Sequence, residues 1–103
     1  MYYILKDKEP VRCQDSLKFA EWLKESSLVV KSIRIKNYTI LTIFLGIDLN
    51  HQDEGDPVLF ETIVFEKSLC NRIEIDRYCT WEEAMNGHHR LLNKYTKLPS
   101  SAN

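Results

Sequence analysis

The spacing of apolar residues along the chain switches between two periods, and each switch marks a change of element. Tyr2 to Leu5 and Pro10 to Cys13 are short β-favouring runs flanking the charged link Lys6-Asp7-Lys8-Glu9. They predict a hairpin, with Pro10 at a strand start, where its missing N–H does least harm. Phe19, Ala20, Trp22 and Leu23 then recur at helical spacing, while Lys18, Glu21, Lys24 and Glu25 point away. Asp15 supplies an N-cap for this first helix, which ends near Ser26-Ser27.

From Leu28 the period becomes two. Val29, Ile33 and Ile35 alternate with Val30, Ser32, Arg34 and Lys36, and Lys36-Asn37 offers a turn. Tyr38 to Asp48 is apolar on both faces, Thr39, Leu41, Ile43, Leu45 and Ile47 on one and Tyr38, Ile40, Thr42, Phe44 and Gly46 on the other. Two apolar faces mark a central strand. A polar loop, Asn50 to Pro57, leads to a third strand over Val58 to Glu66, whose pattern Glu61 alone interrupts on its face. Lys67 to Asp76 reads as an irregular polar connection, with room for a short strand at Arg72 to Ile75.

The helical period returns at Thr80. Thr80-Trp81-Glu82-Glu83 fits a capping box, the Thr hydroxyl accepting from the amide of Glu83 and the Glu83 carboxylate from the amide of Thr80. At about 100° per residue, Trp81, Ala84, Met85, His88, Leu91, Leu92 and Tyr95 form one stripe. The pattern therefore predicts an α+β fold in the order ββ-α-βββ-α, an antiparallel sheet of three to five strands packed against two amphipathic helices. One domain spans residues 1–96, and 97–103 form a flexible tail.

Length and charge narrow the function classes. A chain of 103 residues that is 44% hydrophobic fills one core. A net charge of -1 with no long block of either sign argues against wholesale capture of nucleic acid or anionic membrane. The longest apolar stretch, Ile43 to Ile47, is far short of the roughly 20 residues that a membrane-spanning helix needs. Cys13, Cys70 and Cys79 form an odd set without a C-x-x-C pair, and the N-terminus lacks a signal-peptide core, so a cytosolic protein with free thiols is expected.

Candidate chemistry centres on His88, a titratable group inside an apolar helix stripe. A catalytic role needs a carboxylate in reach, for which Asp48 and Glu61 are the candidates, in a small ligand-binding or hydrolase-like site. The competing reading is a buried histidine satisfied by hydrogen bonds. Cys70, Cys79, His88 and His89 match no tight zinc-ligand spacing, and no cofactor motif is present, so neither metal nor cofactor is expected. Cys79 precedes a helix start whose Glu82 and Glu83 oppose thiol activation. The order helix, three strands, helix is shared with double-stranded-RNA-binding domains, but those acidic residues stand where phosphate-binding lysines would. Two binding surfaces suggest themselves for a protein partner. One is the acidic loop with Asp48, Asp53, Glu54 and Asp56, and the other a sheet face around Tyr38, Ile40 and Phe60.

Three segments resemble a family of small uncharacterised proteins encoded by tailed phages, prophages and bacteria. They are Phe44-Leu45-Gly46-Ile47-Asp48, Pro57 to Phe65, and Arg77 to His88 with its Thr80-Trp81-Glu82-Glu83-Ala84 core. Met1 to Leu5, Pro10-Val11 and the Trp22-bearing helix are similar too, so the resemblance covers residues 1 to 92. The family pattern has a histidine after the aspartate, where this chain has Leu49, and a Gly/Pro-rich loop where it has Asn50 to Pro57. The resemblance implies a phage accessory protein acting in the host cytosol by binding a bacterial host protein or protein complex, as anti-CRISPR inhibitors of host defence do. It implies no established activity, and the expectation is a binding protein rather than an enzyme.

Overall fold

Residues 1–50, 55–67 and 71–98 are described by the computed structural model. The chain order is β1 (Tyr2–Lys6), β2 (Glu9–Cys13), α1 (Ser16–Glu25), β3 (Val29–Ile35), β4 (Tyr38–Phe44), β5 (Phe60–Glu66), β6 (Arg72–Tyr78) and α2 (Trp81–Lys97). Strands β1 and β2 pair as an antiparallel hairpin, and β3-β4-β5-β6 form a four-stranded antiparallel sheet in sequence order. This is the expected α+β class. No helix is long and apolar enough to cross a membrane among the described residues.

Local chemistry accounts for the element ends. Asp7 and Lys8 turn the hairpin with φ of 50° and 72°, the left-handed pair that a two-residue turn of matching twist requires. Asp15 Oδ1 accepts from the amides of Leu17 and Lys18 at 2.9 and 3.3 Å, capping α1. Both halves of the Thr80 box form: the Glu83 amide donates to Thr80 Oγ1 and the Thr80 amide to Glu83 Oε1, each at 3.1 Å. At the far end of α2, Lys36 Nζ donates to the carbonyl oxygens of Thr96, at 2.8 Å, and Leu98, placing a cation at the helix C-terminus.

Strand β4 stops at Phe44, short of the Asp48 that alternation predicts, because the chain bends at Gly46, where φ is +74°. A Cβ at Gly46 would lie 3.1 Å from the Phe19 ring, and the Gly46 carbonyl accepts from the Tyr3 amide at 2.8 Å. This close approach seats the hairpin and α1 at one end of the sheet. Aromatic rings continue the join, from Tyr2 to Phe19, Trp22, Phe44, Phe60 and Trp81, at centroid distances of 4.5 to 6.3 Å.

The short strand allowed for at Arg72 to Ile75 within the polar connection is present and longer: it is a full edge strand, β6, running to Tyr78. Its charged residues conceal it from a hydrophobic pattern. They find partners once α2 is in place: Glu74 accepts from Lys94 Nζ at 2.8 Å and from the Tyr95 hydroxyl at 2.6 Å, and Asp76 pairs with Arg90. α2 itself runs to Lys97, and 99–103 lie outside the described residues.

α2 lies across one face of the sheet, and the core beneath it is divided. Tyr3, Phe44, Leu59, Phe60, Tyr78 and Ala84 form one apolar cluster, and Tyr38, Ile40, Val64, Leu91 and Tyr95 a second. Between them, at the matching positions of β4, β5 and α2, stand Thr42, Thr62 and His88, all fully buried. Gly87 lets α2 approach the sheet: a Cβ there would fall 2.1 to 2.3 Å from the Tyr78 ring and hydroxyl.

Candidate functional site

Sheet alternation decides what the predicted site residues can do, because neighbours along a strand face opposite ways. Thr62 points toward α2, so Glu61 points to the other face. There Glu61 Oε1 accepts from Arg77 Nε at 3.2 Å. His88 lies under α2, its Nδ1 2.7 Å from Thr42 Oγ1, which is in turn 2.6 Å from Thr62 Oγ1. The sheet thus stands between Glu61 and His88. Asp48 is a loop clasp: its Oδ1 accepts from the amides of Asn50 and Val58, both at 2.8 Å. The expected constellation of Asp48, Glu61 and His88 is not assembled, and each has a separate structural partner.

His88 is an unusual core residue. Burial, then the positive charge of Lys31, then His89, pushes its pKa down to about 4. Geometry gives the same direction, since protonation places an N–H on both ring nitrogens and Nε2 is buried without an acceptor among the described residues. Neutral imidazole is the form that fits.

The second expected surface is inverted by the structure. Tyr38, Ile40 and Phe60 are 5%, 0% and 0% exposed, because theirs is the face α2 covers. Both faces of β4 and β5 are apolar, so alternation identifies the two sets without saying which is covered. The apolar set left open consists of Val29 on β3, Leu41 and Ile43 on β4, Ile63 and Phe65 on β5 and Ile75 on β6, with Ile73 at the bulge beside Phe65. Among the described residues no helix packs on this face, since α1 sits against the hairpin. Ile63 and Phe65 are each 8% exposed and Leu41 and Ile43 are half-buried, whereas Ile73 and Ile75 remain 41% and 43% exposed.

Charge is sorted between the faces. β6 directs Glu74 and Asp76 toward α2, while Arg72 and Arg77 lie opposite Phe65 and Glu61 on the open side, and β3 places Arg34 there opposite Thr39. Glu61 is the one carboxylate among the described strand residues on the open side, and Arg77 pairs with it. Arg34 and Arg72 are exposed.

Of the acidic loop, Asp53 and Glu54 lie outside the described residues. Asp56 is exposed, and its carbonyl accepts from Asn50 Nδ2 at 3.0 Å. Cys13 and Cys79 are free thiols, and Cys70 is outside the described residues. Burial, Glu83, Asp56 and Asp48 together push the Cys79 thiol up, away from the nucleophilic thiolate. Among the described residues no three His, Cys, Asp or Glu side chains gather as a metal site. A shallow cleft of about 420 Å³ between the hairpin and the start of α1 is lined by Ile4, Val11, Arg12, Cys13, Asp15 and Lys18 among others, and includes none of Asp48, Glu61 and His88. No family model, curated protein or solved structure matches this chain.

Proposed function

We propose that this chain is a non-enzymatic protein-binding module, a phage-type accessory protein that inhibits a bacterial defence protein, and that it binds through the open face of its four-stranded sheet. The carrying observation is that face's composition. An antiparallel sheet with one solvated side ordinarily alternates apolar-in with polar-out. Here the uncovered side carries Leu41, Ile43, Ile63, Phe65, Ile73 and Ile75. A contiguous apolar patch of this kind, rimmed by charge, is the usual mark of an interaction surface. The sequence resemblance to phage-encoded proteins supports the inhibitory role. The separation of Asp48, Glu61 and His88 removes the constellation on which a hydrolase-like reading rested.

Plating of phage on defence-bearing hosts tests this. Wild-type protein, expressed in the host, is expected to restore plaques that the defence suppresses, and Ile75→Asp to lose that effect while keeping the wild-type circular-dichroism spectrum and Tm. Unchanged plating with wild-type protein across a panel of defence systems, or full activity of Ile75→Asp, refutes the proposal.

A further inference from the structure

We infer that the surface occupying the open sheet face is an acidic, apolar protein segment, one that sets carboxylates beside aliphatic side chains. This rests on the binding reading above and specifies the partner's chemistry. The whole chain carries a net charge of -1, yet its open sheet face holds Arg34, Arg72 and Arg77 against Glu61 alone, so the face has the opposite sign to the molecule. Arg77 is engaged by Glu61, which leaves, among the described residues, Arg34 and Arg72, on opposite edge strands, as guanidinium forks at the two ends of the row that crosses Thr39 and Phe65, beside the isoleucine row. A guanidinium fork accommodates a carboxylate in two parallel hydrogen bonds. Apolar contact between such anchors and charge complementarity around them are what fix a partner's register.

The same features argue against the other occupants. Single-stranded nucleic acid also brings negative charge, but it binds sheets through aromatic side chains on which bases stack, and the aromatic ring on this face, Phe65, is only 8% exposed among aliphatic neighbours. A second copy would set this net-positive face against an identical net-positive face. Such a stack would also be small. Four strands of seven residues, at about 3.4 Å rise and about 4.8 Å spacing, present a footprint of roughly 450 Å². A stable interface takes about 800 Å² from each partner, so a partner that binds stably must reach beyond the four strands.

Panning a random-peptide display library on immobilised full-length protein separates these possibilities. Wild-type protein is expected to retain peptides in which Asp and Glu intersperse with aliphatic residues. Ile75→Asp should lose them, and Arg34→Glu/Arg72→Glu should exchange them for Lys- and Arg-bearing peptides. A wild-type pool that is neutral or basic overturns the acidic assignment and leaves the binding reading standing. A pool identical for wild type and Ile75→Asp overturns both. Binding of labelled oligothymidine, or a dimer in sedimentation velocity, would assign the face to nucleic acid or to a second copy if Ile75→Asp abolished it, and so overturn the inference.

Discussion

Lowering the pH from about 8 to about 5 should destabilise this protein chiefly through one residue, His88. Its pKa falls from an ordinary 6.5 to about 4 in the folded protein. The unfolded chain therefore binds a proton at this position that the folded chain refuses, throughout the window between those values. Stability rises with pH wherever the unfolded state holds more protons, so the contribution of neutral His88 is complete above pH 6.5 and is lost as the pH falls toward 4. From the two pKa values, the loss between about pH 8 and about pH 5 is roughly 2 kcal/mol, approaching roughly 3 kcal/mol in more acid solution.

Urea unfolding at a series of pH values measures this loss directly. The comparison is with His88→Gln, which keeps a polar group near Thr42 but has nothing to titrate. His88→Gln will be less stable than wild type at pH near 8, because a buried hydrogen-bond layer is disturbed at about 1–3 kcal/mol. Its stability should nonetheless be nearly flat between about pH 5 and about pH 8, where wild type falls by roughly 2 kcal/mol. The His88 ring resonances should also stay fixed over that range. Equal pH slopes for the two proteins, or a His88 ring that titrates near its ordinary 6.5, would refute the buried neutral imidazole and its hydrogen bond to Thr42.

Three further substitutions probe the frame around the site. Gly87→Ala should destabilise despite the gain of about 1 kcal/mol in helix propensity, because the new methyl falls within 2.3 Å of Tyr78. The net cost read from thermal or urea unfolding should be about 1–2 kcal/mol, and a more stable variant would show the contact to be soft. Thr80→Ala, which removes the cap at the start of α2, should cost about 1 kcal/mol in the same measurement, with a wild-type value contradicting the box. Asp48→Ala leaves the amides of Asn50 and Val58 without their acceptor and should cost about 1–2 kcal/mol, whereas Asp48→Asn keeps an oxygen there and should cost less. Equal losses for the two Asp48 variants would mean that the charge, rather than the clasp, is what matters.

Which parts of this architecture can be read from the sequence follows from how each part is stabilised. α1, α2 and the hairpin are legible because their signals are local: the Asp15 cap, the Thr80 box and the short charged turn at Asp7-Lys8. Strands β4 and β5 are legible because their apolar content is high on both faces. β6 is legible only as a short strand at Arg72 to Ile75, because what holds its charged residues is a helix encountered later in the chain. Gly87 gives a weak signal, a glycine that lowers the propensity of an otherwise regular helix, and its purpose appears only when Tyr78 is set beside it. The polar layer of Thr42, Thr62 and His88 is likewise a product of register between β4 and β5, which no single segment records.

The polar groups also explain why α2 takes the face it does, and hence why the opposite face is left without a helix. On apolar content alone, Leu41, Ile43, Ile63 and Phe65 would bury a helix as well as Ile40, Phe44, Phe60 and Val64 do. The polar groups break the tie. α2 carries His88, which needs hydroxyl partners, and Thr42 and Thr62 stand together on one face only. It also carries Arg90, Lys94 and Tyr95, which need acceptors, and β6 offers Glu74 and Asp76 on that face but Arg72 and Arg77 on the other. Docking on the far side would set Arg90 and Lys94 against arginines and leave His88 buried without a hydroxyl partner, a cost of about 1–3 kcal/mol for the unmet hydrogen bond alone. Charge sorting on β6 therefore does two things at once. It directs this chain's own basic helix to the acidic face, and it leaves the basic, apolar face without a helix of this chain upon it.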